Sequence, residues 1–326
     1  MKAMLVVVFW LIIVSLWAVL LAIALGGPRD LPPMASINAP FERVDYSGLP
    51  VISHFVARDG TSLAYRAYTP TGSEAVGSVV LVHGSSGGSS NMHVLAKGFA
   101  AAGYAAYALD IRGHGESGIK GQIAYVGQLE DDLVDFTQAV PLAQPATLVG
   151  FSSGGGFVLR FAGSARQNIF SNYLLLSPFI SQSAPNQRPE DNQWVSVGVP
   201  RLMAITLLDA IGVHTFNHLA VLQFARDPKA KGELTLQYSF SLAKNFRPKN
   251  DYETNIRAVE EPLRVVAGLA DEIFATDKLP LLFEQAGKEV PVTLLSGVGH
   301  IPLTLDPTAV QAAISAVQSM NSPTHK

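Results

Sequence analysis

The sequence predicts an α/β fold: a mostly parallel central sheet flanked by helices, with an inserted helical cap and one N-terminal transmembrane helix. Three observations carry this expectation. From about residue 51 onward, short apolar runs of strand character alternate with amphipathic helical stretches, the pattern of a sheet covered on both faces. The alternation breaks at 179–261, a stretch too long and too helical for a loop. Residues 3–25 carry no charge at all.

The uncharged run comes first, with Ser15 its only clearly polar residue. As a helix rising about 1.5 Å per residue it spans roughly 34 Å, enough for a hydrocarbon core of about 30 Å. A cleavable signal peptide competes, and Ala22-Ile23-Ala24 offers a small-residue site. The apolar run is longer than the roughly 7–15 residues of such a leader, so an uncleaved anchor is expected. Lys2 on one flank and Arg29 with Asp30 on the other orient it weakly. They favour a cytoplasmic N-terminus and an extracytoplasmic remainder, periplasmic in a bacterium. The helix is assigned to 1–27, a Pro-containing tether to 28–50 and the main domain to 51–326.

The core elements follow in order. Runs at 51–56 and 62–68 are strands joined across Asp59-Gly60, a hairpin signal. An apolar strand at 78–82 runs into His83-Gly84, followed by a helix at 91–102, a strand at 104–111 and a helix at 127–140. A strand at 146–151 leads to a helix at 155–165, and a strand at 172–176 stops at Ser177-Pro178. The insertion opens as a polar loop and continues with helical segments at 199–225 and 231–243. A strand at 263–267, a helix near 279–287, a strand at 292–295 and a helix at 307–320 close the chain.

Composition narrows the function. Apolar residues make up 48% and charged residues 15%, with a net charge of −3, so no basic footprint for nucleic acid exists. The absence of cysteine removes disulfides, thiolate metal sites and a cysteine nucleophile.

Gly150-Phe151-Ser152-Ser153-Gly154 fits G-x-S-x-G between a predicted strand and a predicted helix, the context in which a sharp turn lifts a serine hydroxyl above a sheet. A serine needs a base, and His300, in Gly299-His300 after the last strand, is the candidate. The imidazole needs an orienting carboxylate; Asp271 follows an apolar strand and a Gly-Leu-Ala turn, with Glu272 its rival. An oxyanion needs positioned N–H donors, for which the backbone amides of Ser153 and Ser85 are the candidates. The Gly/Ser-rich run 85–90 lacks the lysine of a phosphate-binding loop. His214 and His218 have the i, i+4 spacing of a helical metal pair but no third ligand at a sensible distance along the chain. No metal or organic cofactor is expected.

Over roughly 51–320 the chain resembles the α/β-hydrolase superfamily, in its capped branch of monoacylglycerol lipases, lysophospholipases and serine aminopeptidase-like proteins. The resemblance rests on His83-Gly84, the run Asp110-Ile111-Arg112-Gly113-His114-Gly115-Glu116-Ser117, the Ser152 elbow, Gly268-Leu269-Ala270-Asp271 and Gly299-His300, in that order. It implies a Ser152–His300–Asp271 triad and a structural role for the loop containing His114, but says little of the substrate; the expected apolar helices of the insertion suggest an ester with a hydrophobic acyl or lipid-like portion. His83-Gly84-Ser85-Ser86-Gly87 departs from the H-G-G-P-G of proline aminopeptidases, and Ser152 stands where a haloalkane dehalogenase has Asp. The elbow is also similar to that of cofactor-free haloperoxidases. Amide hydrolysis and a catalytically silent, tethered binding protein are the alternative readings.

Overall fold

The computed structural model describes residues 1–33, 39–70, 72, 74–188, 194–226 and 234–321. After helix α1 (Lys2–Leu25), the chain forms β1 (Ile52–Val56), β2 (Ser62–Tyr68), β3 (Ser78–Val82), α2 (His93–Ala101), β4 (Ala105–Leu109), α3 (Gln128–Ala139), β5 (Ala146–Phe151), α4 (Ser153–Ala162) and β6 (Asn172–Leu176). The insertion contributes β7 (Val195–Val197), α5 (Val199–Ala210), β8 (Ala220–Phe224), β9 (Gln237–Ser239), α6 (Phe240–Asn245) and α7 (Tyr252–Arg257). The core resumes with β10 (Leu263–Gly268), α8 (Leu279–Gln285), β11 (Val292–Leu295) and α9 (Pro307–Asn321).

Eight strands form one sheet in the order β1-β2-β4-β3-β5-β6-β10-β11. Only β2 runs against its neighbours; every other pairing between β4 and β11 is parallel. Strands β3, β5 and β6 are buried along their whole length, which explains their unbroken apolar sequences. At the sheet's edge the β1–β2 hairpin turns through Gly60 at φ +83°, a left-handed conformation that glycine adopts without steric cost. Leu95, Phe99, Val310 and Ile314 of α2 and α9 pack on one face. Leu133, Phe136, Phe157 and Phe283 of α3, α4 and α8 cover the other.

The insertion differs from the expected run of helices. The helix expected over 199–225 ends at Ala210, and 220–224 forms the central strand of a small antiparallel sheet, β7-β8-β9. Residues 231–233 of the helix expected at 231–243 lie outside the described residues; within the remainder, 237–239 is a strand and only Phe240–Asn245 belongs to a helix. The reason is local ambiguity. A five-residue apolar run such as Ala-Val-Leu-Gln-Phe suits either structure, and its two partner strands, Val195–Val197 and Gln237–Ser239, come from distant sequence.

Helix α1 has a mean hydropathy of 3.0 over its most apolar 18-residue window and is long and apolar enough to cross a membrane. Its last turns are built into the insertion. Ile23 is buried in a cluster with Ala204, Ile205, Val221 and Phe240, flanked by Val19 and Ala22. Arg201 donates from Nε to the Ile23 carbonyl at 2.7 Å and from Nη2 to the Ala24 carbonyl at 3.2 Å, satisfying oxygens that a helix end leaves open. The segment after α1 also touches the body: the Arg29 amide donates to Ser196 Oγ at 2.9 Å, and Phe41 packs against the α2–α9 side of the core.

Candidate active site

Ser152 sits at the junction of β5 and α4 with φ 55° and ψ −120°, a backbone conformation that costs a non-glycine residue about 1–3 kcal/mol. Its surroundings enforce it. The Ser152 amide donates to the Leu176 carbonyl at 2.9 Å, and the Ser152 carbonyl accepts from the amides of Gly156 and Phe179, each at 3.0 Å. A Cβ at Gly150 would run into the Gly154 carbonyl, and one at Gly154 into the carbonyls of Val82 and His83. The glycines of the pentapeptide let the turn close against β3, with the N-terminus of α4 directly behind the serine.

His300 and Asp271 come to the same place from the ends of β11 and β10. His300 Nε2 lies 3.0 Å from Ser152 Oγ, and His300 Nδ1 lies 2.8 Å from Asp271 Oδ2. Both are almost fully buried, at 2% and 1% exposure. The other carboxylate oxygen, Asp271 Oδ1, accepts the amides of Ile273 at 2.8 Å and Phe274 at 2.9 Å. Burial works to raise the Asp271 pKa, but the imidazole and these amides outweigh it and hold the carboxyl below its ordinary value. Glu272 makes a different bond, accepting the backbone amide of His300 at 2.9 Å.

Ser85 and Ser153 flank the Ser152 hydroxyl in one cleft, and their side chains are joined, Oγ to Oγ, at 2.5 Å. Neither backbone amide has an acceptor among the described residues. The loop carrying Ser85 is fixed from below by the motif at 110–117. Asp110 accepts the Ser89 amide at 2.6 Å and the Glu116 amide at 3.0 Å, while Arg112 forks onto Asp132 at 2.7 and 2.8 Å. Tyr238 completes the support: its hydroxyl accepts the Ser86 amide at 2.8 Å and pairs with His114 Nε2 at 2.6 Å. Burial pushes the pKa of His83 down, and burial together with the neighbouring His83 pushes that of His114 well down. Both shifts favour the neutral form of the rings.

The cleft above Ser152 has a cavity volume of about 190 Å³. Trp194, Leu222, Phe224, Phe240, Phe246 and Phe274 give it an apolar wall, and Lys244 and Arg247 are its charged lining residues. A smaller recess beside Ser152 and His300 is lined by Gly84, Trp194 and Phe41. Phe41, from the segment read as a tether, and Tyr238 and Trp194, from the insertion, were not identified from sequence; no local motif marks any of them. His214 and His218 lie in the turn after α5, not on a helix. Their Nδ1 atoms face different partners, Asp209 Oδ1 at 2.8 Å and the Thr215 carbonyl at 2.9 Å.

This sheet order, with a serine on a strand-to-helix turn and an inserted cap, defines an α/β hydrolase. Residues 73–307 match the family described as serine aminopeptidase, S33, and the chain belongs to that family. A monoacylglycerol lipase of Mycolicibacterium smegmatis is 33% identical over 133 residues, 39% of this chain and 46% of that protein, so the match spans about half of the relative's length. The fold is shared with a soluble variant of monoglyceride lipase from Saccharomyces cerevisiae, at TM-score 0.63 and 18% identity over 83% of this chain and 95% of that one. It is shared also with a membrane phospholipase A described as a bacterial virulence factor, at TM-score 0.57 and 16% identity over 99% and 100% of the two chains.

Proposed function

We propose that the protein is a membrane-tethered serine hydrolase that cleaves carboxylic esters of lipid-like substrates through an acyl-enzyme on Ser152. The observation that carries this reading is the line of contacts Ser152 Oγ–His300 Nε2 and His300 Nδ1–Asp271 Oδ2, set at the floor of an apolar cleft. As Ser152 Oγ attacks the ester carbonyl, its proton passes to His300 Nε2, and Asp271 steadies the imidazolium. The amides of Ser85 and Ser153 receive the oxyanion. Collapse of the tetrahedral intermediate breaks the ester bond, and the His300 proton goes to the departing alkoxide. Water, deprotonated by the same imidazole, then releases the carboxylic acid and restores Ser152.

The tether is α1, and the insertion shares its surroundings. Val199, Met203 and Leu207 of α5 and Ile211 just past its end recur every fourth residue and are exposed, while the opposite side of α5 packs with the end of α1. An apolar stripe beside a membrane-spanning helix is suited to the bilayer interface, which brings the cleft to the surface where acyl lipids reside. The family relationship to aminopeptidases raises amide hydrolysis as a second reading. An aminopeptidase must bind an α-ammonium group, whereas the cleft's charged lining among the described residues is cationic.

Labelling of the detergent-solubilised full-length protein with a fluorophosphonate probe tests the nucleophile. Wild type should label and Ser152→Ala should not, and the unlabelled wild-type enzyme should hydrolyse acyl esters in preference to aminoacyl anilides. Preference for the anilides would reverse the assignment. Retention in the membrane pellet after alkaline carbonate extraction tests the anchor.

A further inference from the structure

Arg247 follows α6 and lines the cleft together with Ser152, Phe246 and Asn250. Its backbone lies against the first turn of α4, where a Cβ on Gly156 would approach the Arg247 Cα to 3.4 Å. Several arginines of the body face a carboxylate: Arg58 meets Asp131 and Asp135, Arg112 meets Asp59 and Asp132, and Arg160 meets Glu130. Among the described residues Arg247 does not. Its one hydrogen bond among the described residues runs from Nη2 to Asn250 Oδ1 at 3.0 Å, and its Nε is buried with no partner. Burial and the like charge of Arg160 both press against its protonated form.

A guanidinium so placed has strong unmet demand. It cannot discharge by losing its proton at neutral pH, and its fork of N–H donors matches the paired oxygens of a phosphate or carboxylate. The second cation of the cleft, Lys244, is already taken by Asp209 Oδ2 at 2.6 Å. The unsatisfied charge therefore sits at one place, in the cleft that holds the reacting serine.

We infer that Arg247 is the subsite for an anionic group on the substrate, so that the cleft takes acyl esters whose alcohol portion carries a phosphodiester. The acyl chain lies along the aromatic wall and the phosphate oxygens meet the guanidinium. This rests on the esterase reading above and specifies its substrate class: lysophospholipid-type esters in preference to neutral monoacylglycerols. The released fatty acid carries the same anionic chemistry, and the experiment separates the two.

The test compares full-length wild type, Arg247→Lys and Arg247→Gln in detergent micelles. The substrates are lauroyl-lysophosphatidylglycerol, monolaurin and nitrophenyl butyrate, with laurate as an added inhibitor. A charge-assisted hydrogen bond of the usual strength predicts that Arg247→Gln lowers the ratio of kcat/KM on the lysophospholipid to that on monolaurin by about 10- to 100-fold. The loss should fall mainly on KM, and Arg247→Lys should recover part of it. An unchanged ratio, including equal loss on both lipids, overturns the inference. So does a change confined to laurate inhibition, which would assign the guanidinium to the product carboxylate. Failure of wild type on nitrophenyl butyrate would instead strike the esterase reading itself.

Discussion

Asp271 and Glu272, neighbours in sequence, hold different atoms of one residue: Asp271 Oδ2 faces the imidazole Nδ1 of His300, and Glu272 accepts that residue's backbone amide. The side chain that can orient the ring is Asp271. Asp271→Asn should therefore lower kcat by roughly 10⁴-fold, about 5–6 kcal/mol of transition-state stabilisation, because an amide favours the wrong tautomer. Glu272→Gln keeps an oxygen for the backbone amide and should cost less than about tenfold, the loss of a single hydrogen bond at most. Steady-state rates of the two variants on one short ester decide between them; a severe loss in Glu272→Gln beside a mild one in Asp271→Asn would exchange their roles.

Stability should depend on pH through His83 and His114. Folding holds both imidazoles below the ordinary value of 6.5, so the unfolded chain takes up protons that the folded chain refuses. The stability they contribute is complete above pH 6.5 and declines as the pH falls through and below that value, by up to about 1.4 kcal/mol per pH unit for each ring. Urea unfolding at pH 7.5 and pH 5.5 should differ by about 1–3 kcal/mol in favour of the higher pH. A flat profile would mean that the rings are not held neutral.

Truncation at two points should separate anchoring from folding. Deleting 1–18 removes most of α1 but leaves Ile23 and the carbonyls that Arg201 caps. Deleting 1–30 strips them away and should cost at least the burial of one isoleucine, about 1.5–3 kcal/mol, felt in the insertion. The shorter deletion should keep the full-length protein's acyl-chain preference and the longer one should lose it. Thermal unfolding with chain-length profiles in detergent checks both, and identical behaviour of the two deletions would show that the contact is idle.

Phe41 closes the small recess next to Ser152 and His300. Phe41→Ala should open that recess, raising activity on bulky alcohol esters relative to ethyl esters of the same acid. Its stability cost should be about 1–2 kcal/mol, less than for a fully buried phenylalanine, because the ring is only half-buried. An unaltered preference across a series of alcohols would place the alcohol portion elsewhere.

What could be read in advance was what is local. The strands at 146–151 and 172–176 and the elbow between 150 and 154 announce themselves within a few residues, because burial on both faces and a tight turn each demand a short, characteristic sequence. His300 and Asp271 follow from their positions at strand ends. Tyr238, Phe41 and Arg247 could not be found this way. Tyr238 reaches the Ser86 amide across 152 residues, and Phe41 reaches the recess from a stretch with no periodicity. The significance of Arg247 lies in a counter-ion it lacks among the described residues, which no sequence window displays.

The exposed row Val199, Met203, Leu207 and Ile211 beside α1 would, with the proposed tether, change what substrate concentration means for this enzyme. Held by the proposed anchor and resting on that row, it would sample a two-dimensional phase, and its rate would follow the mole fraction of substrate within the bilayer, not the molarity of the suspension. Adding more vesicles of fixed composition leaves the turnover of each bound molecule unchanged. Thinning the ester with an inert ether lipid lowers it, although total lipid stays constant.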